Sequence, residues 1–452
     1  MWILLSGALV RIGLWYAWTA SSPLINDDAR DFQHLAISLA TSGGYANEHG
    51  KLISLRPPLY PAAVAGVYRC VGMKNDDAVR ALQAAISLLT VVLVYLLAVM
   101  VYTPRVGVWA AGICCFYPSL LVYTNLLLSE TLFTFFAVAF TWLVVKSVRQ
   151  QSLLLLAHAG AVMGLAALTR SIMLLFLPVL VVFVVFVWHG GWNWRAWAAM
   201  VPALSFALVV GGWAVRNTQV QQTLTFIDVM GGRNLMMGNY EHTPLERSWA
   251  TISDVPPEQA WNRVLERKYR FQSPLTQGKL DKLALRYAID FIWRHPGLTI
   301  KRDVVKFFNF WQLERELPAA AKAGYFGDIS ASTQMLMAAV ICGSYVVVLF
   351  AAVFGVCCVP PHDLRVHLLL LASIMFPCMI HALIFAHSRY HLPIIPLLSL
   401  YAAAAIVHFR EIWQRRRSWS CGLAAGICAI VALSWIRELM LVDHEFLEYV
   451  LR

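Results

Sequence analysis

The sequence predicts an all-α polytopic membrane protein with about eleven transmembrane helices, and three observations predict it. Of 452 residues, 59% are hydrophobic and only 13% are charged, where a soluble domain carries about 25% charged residues. Mean hydropathy is +0.63. Apolar runs near the ~20 residues needed to cross a hydrocarbon core recur along the chain, at 2–19, 79–102, 106–124, 131–146, 153–169, 172–188, 197–213, 332–357, 367–386, 392–409 and 420–436. The first run is interrupted by Arg11, lacks a basic leading region and precedes many further spans. It is therefore read as a retained helix and not as a leader cleaved near Ala20.

Orientation follows from the short loops. With the N-terminus inside, the cytoplasmic loops carry Arg105, Lys146, Arg149, Arg195, Arg365, Arg410, Arg415, Arg416 and Arg417 against Asp363 and Glu411. The opposite face then holds 20–78, 216–331, the links near Asn125 to Glu130 and Thr169 to Ser171, and His387 to His391. The sequence thus divides into an N-terminal transmembrane module (1–215), an extracytoplasmic region with amphipathic helices (216–331), and C-terminal transmembrane helices with a tail (332–452). The expected location is a multi-pass protein of the inner (plasma) membrane with its working face toward the periplasm or cell exterior.

A net charge of +11 invites a nucleic-acid reading, but no basic arm or recognisable nucleic-acid module accompanies it. Basic loops facing anionic lipid explain much of the excess. The nine cysteines lie mostly in or beside apolar spans, as small buried hydrophobes do, and no CxxC pair suggests a structural zinc. No cofactor is expected.

The densest charge outside the cytoplasmic loops is Asn26-Asp27-Asp28-Ala29-Arg30-Asp31, directly after the first span. Behind it, Phe32, Leu35, Ala36 and Leu39 recur at helical spacing until Gly43-Gly44. A loop with Arg56-Pro57-Pro58 leads to a second apolar helix from about Leu59 to Val71. Two helices on the membrane surface would hold the carboxylates and Arg56 at headgroup depth. Adjacent carboxylates repel, so one of Asp27 and Asp28 is expected to carry a raised pKa suited to base work. The alternative is that one of them merely caps a helix starting at Asp31.

Here the residues resemble a family. Asp28-Ala29-Arg30-Asp31-Phe32-Gln33-His34-Leu35-Ala36 followed by Arg56-Pro57-Pro58-Leu59-Tyr60-Pro61 looks like the first loop of GT-C glycosyltransferases, in the bacterial branch akin to protein O-mannosyltransferases and aminoarabinose transferases (family 39-like). Tyr117-Pro118-Ser119, Ser129-Glu130-Thr131, Leu168-Thr169-Arg170-Ser171, Trp213-Ala214-Val215-Arg216-Asn217, Gly231-Gly232-Arg233-Asn234, Gly238-Asn239, His295-Pro296-Gly297 and Arg389-Tyr390-His391-Leu392-Pro393 agree in order. The resemblance implies inverting transfer of a sugar from a polyprenyl-phosphate-linked donor to a hydroxyl of a lipid, glycan or protein acceptor at the extracytoplasmic face, without nucleic acid. A carboxylate takes the proton of the incoming hydroxyl, and cations neutralise the departing phosphate. It implies Asp28 as base, with Asp27 its rival, and Arg56, Arg389 and Arg170 on the donor phosphate.

Asp31, Glu130, Tyr60, Tyr390, His391, Arg216 and Asn217 complete the expected pocket. Glu130 and Arg170, at span ends between apolar helices, should turn inward, with a Glu130–Arg170 or Asp28–Arg170 ion pair as the structural reading. Arg216-Asn217 braces the catalytic loop or anchors a helix end. The i, i+4 spacing of His387 and His391 would suit a metal, but no third ligand is evident. Gly231-Gly232 and Gly238 permit close backbone approach to a ligand. Pro256 to Phe271 and Leu280 to Arg294 read as amphipathic helices over the pocket, selecting the acceptor, and Lys301, Lys306 and Trp311 as interfacial anchors. Two other classes stay open: a transporter or flippase of lipid-linked sugars, and a polysaccharide polymerase or ligase using a diphosphate-linked donor.

Overall fold

The computed structural model describes residues 2–18, 27–252, 254–271, 274–327 and 329–442; the side chains of Trp18 and Asp27 lie outside the description. Asn26, the neighbourhood of Ala20 and the tail beyond 442 also fall outside it. In chain order the α-helices are α1 (Trp2–Trp18), α2 (Asp27–Ser42), α3 (Leu59–Val71), α4 (Asp76–Val101), α5 (Pro104–Phe116), α6 (Pro118–Tyr123), α7 (Glu130–Gln150), α8 (Leu153–Thr169), α9 (Ile172–Val187) and α10 (Trp192–Gln221), then α11 (Gly231–Gly238), α12 (Trp261–Tyr269), α13 (Gln277–Arg294), α14 (Pro296–Phe310), α15 (Glu316–Lys322), α16 (Ala331–Cys358), α17 (Leu364–Leu383), α18 (Ile395–Val407), α19 (Phe409–Gln414) and α20 (Trp419–Leu441). A 3₁₀ turn, Ser388–Ile394, leads directly into α18.

Among the described residues, seven helices are long and apolar enough to cross a membrane, and four shorter apolar helices accompany them. Each apolar run expected from the sequence is matched by one of these helices. Local signals set most starts: Asn75 accepts a hydrogen bond from the Ala78 amide ahead of α4, and Thr103 does the same for α5, with Pro104 in its first turn. The run at 106–124 is broken. Pro118 cannot donate to the preceding turn and forces Tyr117 to extended backbone (φ −66°, ψ 118°), which splits α5 from α6. The expected seventh span instead runs on to Gln221 and stops where Gln222 turns left-handed at φ 52°.

The core of the bundle lies around one C-terminal segment and α7. The segment Ser388–Val407 is 83% buried within its apolar window, whereas Trp419–Leu441 is 22% buried and faces outward. α18 packs against α5 and α16, and α8 is held between α7 and α10. Because α18 is central, the 3₁₀ turn at its start is delivered to the middle of one end of the bundle.

The first loop forms the two expected helices, with one correction. α2 starts at Asp27, not Asp31, so Asp28 is in its first turn and is not a cap for a later helix. One turn of helix puts Asp28 and Asp31 on the same face. Beside them α2 buries Phe32 and Ala36, and Phe32 meets Tyr60 of α3 edge-on at 5.0 Å.

Candidate functional site

Three separated stretches supply the centre of the site. Arg56, in the loop after α2, donates from Nη2 to Asp28 Oδ1 at 2.6 Å and to Asp31 Oδ2 at 2.8 Å, and from Nε to Asp31 Oδ2 at 3.2 Å. Arg389, in the 3₁₀ turn, donates from Nη1 to Asp28 Oδ2 at 3.1 Å. It also donates from Nε to Glu130, the first residue of α7. Each oxygen of the Asp28 carboxylate thus faces a different arginine. Arg170, between α8 and α9, reaches Glu130 Oε1 at 3.2 Å, which is the Glu130–Arg170 pairing the sequence offered.

For Asp28 the electrostatics run against a raised pKa, and the Asp27 side chain lies outside the description. Burial pushes the Asp28 carboxyl up, but Arg389, Arg56 and Arg170 outweigh it and hold its pKa below the usual carboxylate value. Asp28 is therefore ionised at neutral pH and presents an acceptor. Two buried atoms of the cluster have no hydrogen-bond partner: Arg389 Nη2 and Glu130 Oε2. Open buried polar atoms call for a partner that the protein itself does not supply.

A second layer fixes Arg389. Glu316, the first residue of α15, lies 3.8 Å from its Nη1 and accepts from Tyr123 Oη at 3.2 Å. Glu314 is buried and accepts from Tyr117 Oη at 2.8 Å and from Ser119. Its Oε1 faces His391 Nε2 at 3.1 Å, while His391 Nδ1 meets the Phe310 carbonyl at 2.7 Å. His387 turns elsewhere, to the Arg389 amide at 3.2 Å and against the Trp249 ring at 5.2 Å. In a 3₁₀ turn residues four apart do not share a face, so the two histidines do not form a metal-binding pair, and no group of three or more potential ligands occurs among the described residues.

The remaining expected residues divide. Asp31 joins the centre. Tyr390 stacks on His381 at 4.1 Å beside Arg389. Tyr60 is a core residue below the site, donating to Gln83 at 3.0 Å. Arg216 and Asn217 lie behind the first loop: Arg216 donates to the carbonyls of Ile53 at 2.6 Å and Tyr45 at 3.0 Å, and Ser54 donates to Asn217 at 2.9 Å. They brace the loop and do not line the charged cluster. Asp27 starts α2, but its side chain is outside the description.

Two expectations for the second insertion also change. A Cβ on Gly238 would stand 1.7 Å from the Ile384 carbonyl oxygen, so the close approach is to the chain leading into Arg389 and not to a ligand. Lys306 is fully buried and bonds Asn239 Oδ1, Asp303 Oδ1 and the Leu383 carbonyl at 3.2–3.3 Å. It locks α14 to α11 and α17 and makes no interfacial anchor.

Sequence reasoning missed Glu314, Glu316 and Asp228. The signal for the first two was a charge triplet, Glu314-Arg315-Glu316, set just before an apolar span. Asp228 accepts from the Met230 amide at 3.1 Å, and burial pushes its pKa up to about 6 against the pull of the Ser171 hydroxyl. The adjacent Val229 amide donates to Ser54 O at 3.1 Å, tying this turn to the Arg56 loop.

The helical bundle that brings the Asp28 carboxylate of α2 and these arginines together has the GT-C fold. Residues 55–213 match the family described as dolichyl-phosphate-mannose-protein mannosyltransferase. The solved archaeal oligosaccharyltransferase AglB from Archaeoglobus fulgidus, in complex with an inhibitory peptide and a dolichol-phosphate, superposes with a TM-score of 0.50 at 12% identity. The match covers 98% of this chain and 55% of that one, so the protein spans about half the length of the archaeal enzyme. ArnT from Cupriavidus metallidurans matches at 13% identity over 91% of this chain and 79% of that one, with TM-scores of 0.41 in the apo state and 0.42 bound to undecaprenyl phosphate. No curated protein matches the sequence.

Proposed function

We propose that the protein is an inverting glycosyltransferase that moves a sugar from a polyprenyl-phosphate-linked donor to an acceptor hydroxyl at the extracytoplasmic face of the membrane. The observation that carries this reading is the Asp28 carboxylate held between Arg56 and Arg389, with Arg389 Nη2 open beside it. A base ready to accept and a cation ready to receive an anion are the two groups that glycosyl transfer from a phosphate needs.

The step is a single displacement. The acceptor oxygen bonds to the anomeric carbon on the face opposite the phosphate, and its proton passes to Asp28. The bond from that carbon to the phosphate oxygen breaks, and the electron pair leaves on the lipid phosphate, where Arg389 and Arg170 offset the developing charge. Arg56 directs its donors to Asp28 and Asp31 and so orients the base. Below Glu130, Arg170 and Arg389, an apolar recess of about 40 Å³ runs between Phe133, Phe140, Phe176 and Phe376. It supplies the surface on which an isoprenoid chain would start.

The test is transfer by the purified protein from polyprenyl-phosphate sugars to a panel of hydroxyl acceptors, wild type against Asp28→Asn. The variant is expected to lose about 10²–10⁴-fold in rate, and the product to have the inverted anomeric configuration. Movement of the lipid across vesicles with no transfer from any monophosphate donor would instead identify a flippase.

A further inference from the structure

A second cavity adjoins the site on the side away from Arg389. It has a volume of about 210 Å³ and lies between α2 and the turn at Tyr45–Ile53. Asp31, His34, Asn47, Glu48, His49 and Arg56 supply its polar lining. Asp31 and Arg56 belong to both places: the Arg56 guanidinium bonds Asp28 and Asp31 and also walls the cavity. A group seated here is separated from the Asp28 carboxylate by one side chain.

The walls are held in place before any ligand arrives. Ala46 and Leu52 pair as an antiparallel bridge, and Asn47 Oδ1 closes the turn by accepting from the amides of His49 at 3.1 Å and Lys51 at 3.0 Å. Arg216 grips the Tyr45 and Ile53 carbonyls from behind. At the rim, His34 Nδ1 meets Glu48 Oε1 at 2.8 Å. Such bracing is what a positioning pocket needs and an idle surface loop does not.

Its chemistry selects a ligand class. The Arg56 charge is already met by two carboxylates, and Glu48 faces His34, so a phosphorylated group would enter against Asp31 and Glu48 without a free cation to receive it. Carboxylate acceptors, imidazoles and an amide alternate around the wall, which is the mixed donor and acceptor pattern that sugar hydroxyls satisfy. We infer that this cavity is the acceptor subsite and that it takes an uncharged, hydroxyl-rich group of the sugar class, with the first loop and not the 216–331 region making the choice. The inference rests on the transferase reading above, since it places the acceptor beside that reaction's base.

Saturation-transfer NMR on the full-length protein, with methyl α-D-mannopyranoside and methyl β-D-galactopyranoside as probes, tests it. Glu48→Ala and His49→Ala change exposed side chains and leave the fold intact. Both are expected to weaken glycoside binding about tenfold, with undecaprenyl phosphate binding unchanged within about twofold. Glycoside binding unaltered by either variant overturns the inference. So does a wild-type protein that holds undecaprenyl phosphate yet shows no glycoside signal, and so does tighter binding of glycerol 3-phosphate or of a serine-containing peptide in competition. Loss of undecaprenyl phosphate binding in the wild type, or full transfer by Asp28→Asn, strikes the transferase reading instead, whatever the glycosides do.

Discussion

Arg11 and Arg389 are both buried among the helices of this protein, and they are held in opposite ways. Arg11, in the middle of α1, donates to Ser87 Oγ at 2.8 and 3.3 Å and to the carbonyls of Gly7 and Cys115 at 3.1 and 3.3 Å. Its partners are hydroxyl and backbone oxygens from α1, α4 and α5. Arg389 is surrounded by the carboxylates of Asp28, Glu130 and Glu316 and still leaves Nη2 without a partner. An open donor alone does not set Arg389 apart, since buried Arg302 also leaves Nε without a partner while it ties α14 to the Tyr240 and Thr243 carbonyls. What sets Arg389 apart is an open donor inside a cluster of carboxylates, where Arg11 has only uncharged partners.

The sharpest break of this comparison is Arg389→Gln. In the proposed mechanism it removes the cation that faces the leaving phosphate, and it is expected to lower the transfer rate about 10²–10³-fold, read as kcat in the assay for Asp28. Next comes Glu130→Gln, which takes a buried carboxylate from Arg389 and Arg170 at once. Breaking a buried pair costs about 3–5 kcal/mol, and denaturant unfolding in detergent measures it. Arg11→Gln is expected to be milder, about 1–3 kcal/mol for the oxygens left without donors, with kcat of the folded protein unchanged. A kcat loss in that variant equal to the loss in Arg389→Gln would erase the distinction.

The smallest effect concerns pH. Asp228 has a folded pKa of about 6 against about 3.9 for an unperturbed aspartate. Between those values the folded chain binds the extra proton, so this group's contribution to stability falls as pH rises from about 4 through 6. Asp228→Asn removes that slope, and the unfolding midpoints of variant and wild type at pH 5 and pH 8 report it. Asp28 runs the other way. Its lowered folded pKa gives stability that is present above about pH 4 and lost as pH falls through the folded value.

Most of the fold was legible in the sequence because bilayer thickness dictates helix length, and each apolar run of about 20 residues had little else to become. The errors fell where a local signal competed with hydropathy. Pro118 cut a run that hydropathy joined, and α10 continued past its apolar stretch because nothing stopped it before Gln222. At the site, Asp28, Asp31, Arg56, Glu130, Arg170 and Arg389 meet as the motif order implied. Glu314 and Glu316 escaped because only the packing of their segment against the bundle brings Glu316 to Arg389 and Glu314 to His391, Tyr117 and Ser119. Lys306 was misread for a related reason: amphipathic spacing shows which residues share a helix face, not that the polar face of α14 meets Asn239 and the end of α17.

The most direct measurement is the affinity of undecaprenyl phosphate for the wild type, Arg389→Gln and Arg11→Gln in detergent or nanodiscs. If the open donor on Arg389 receives the lipid phosphate, Arg389→Gln binds about tenfold or more weakly, while Arg11→Gln binds as the wild type does. Equal affinity in Arg389→Gln and wild type would contradict the account.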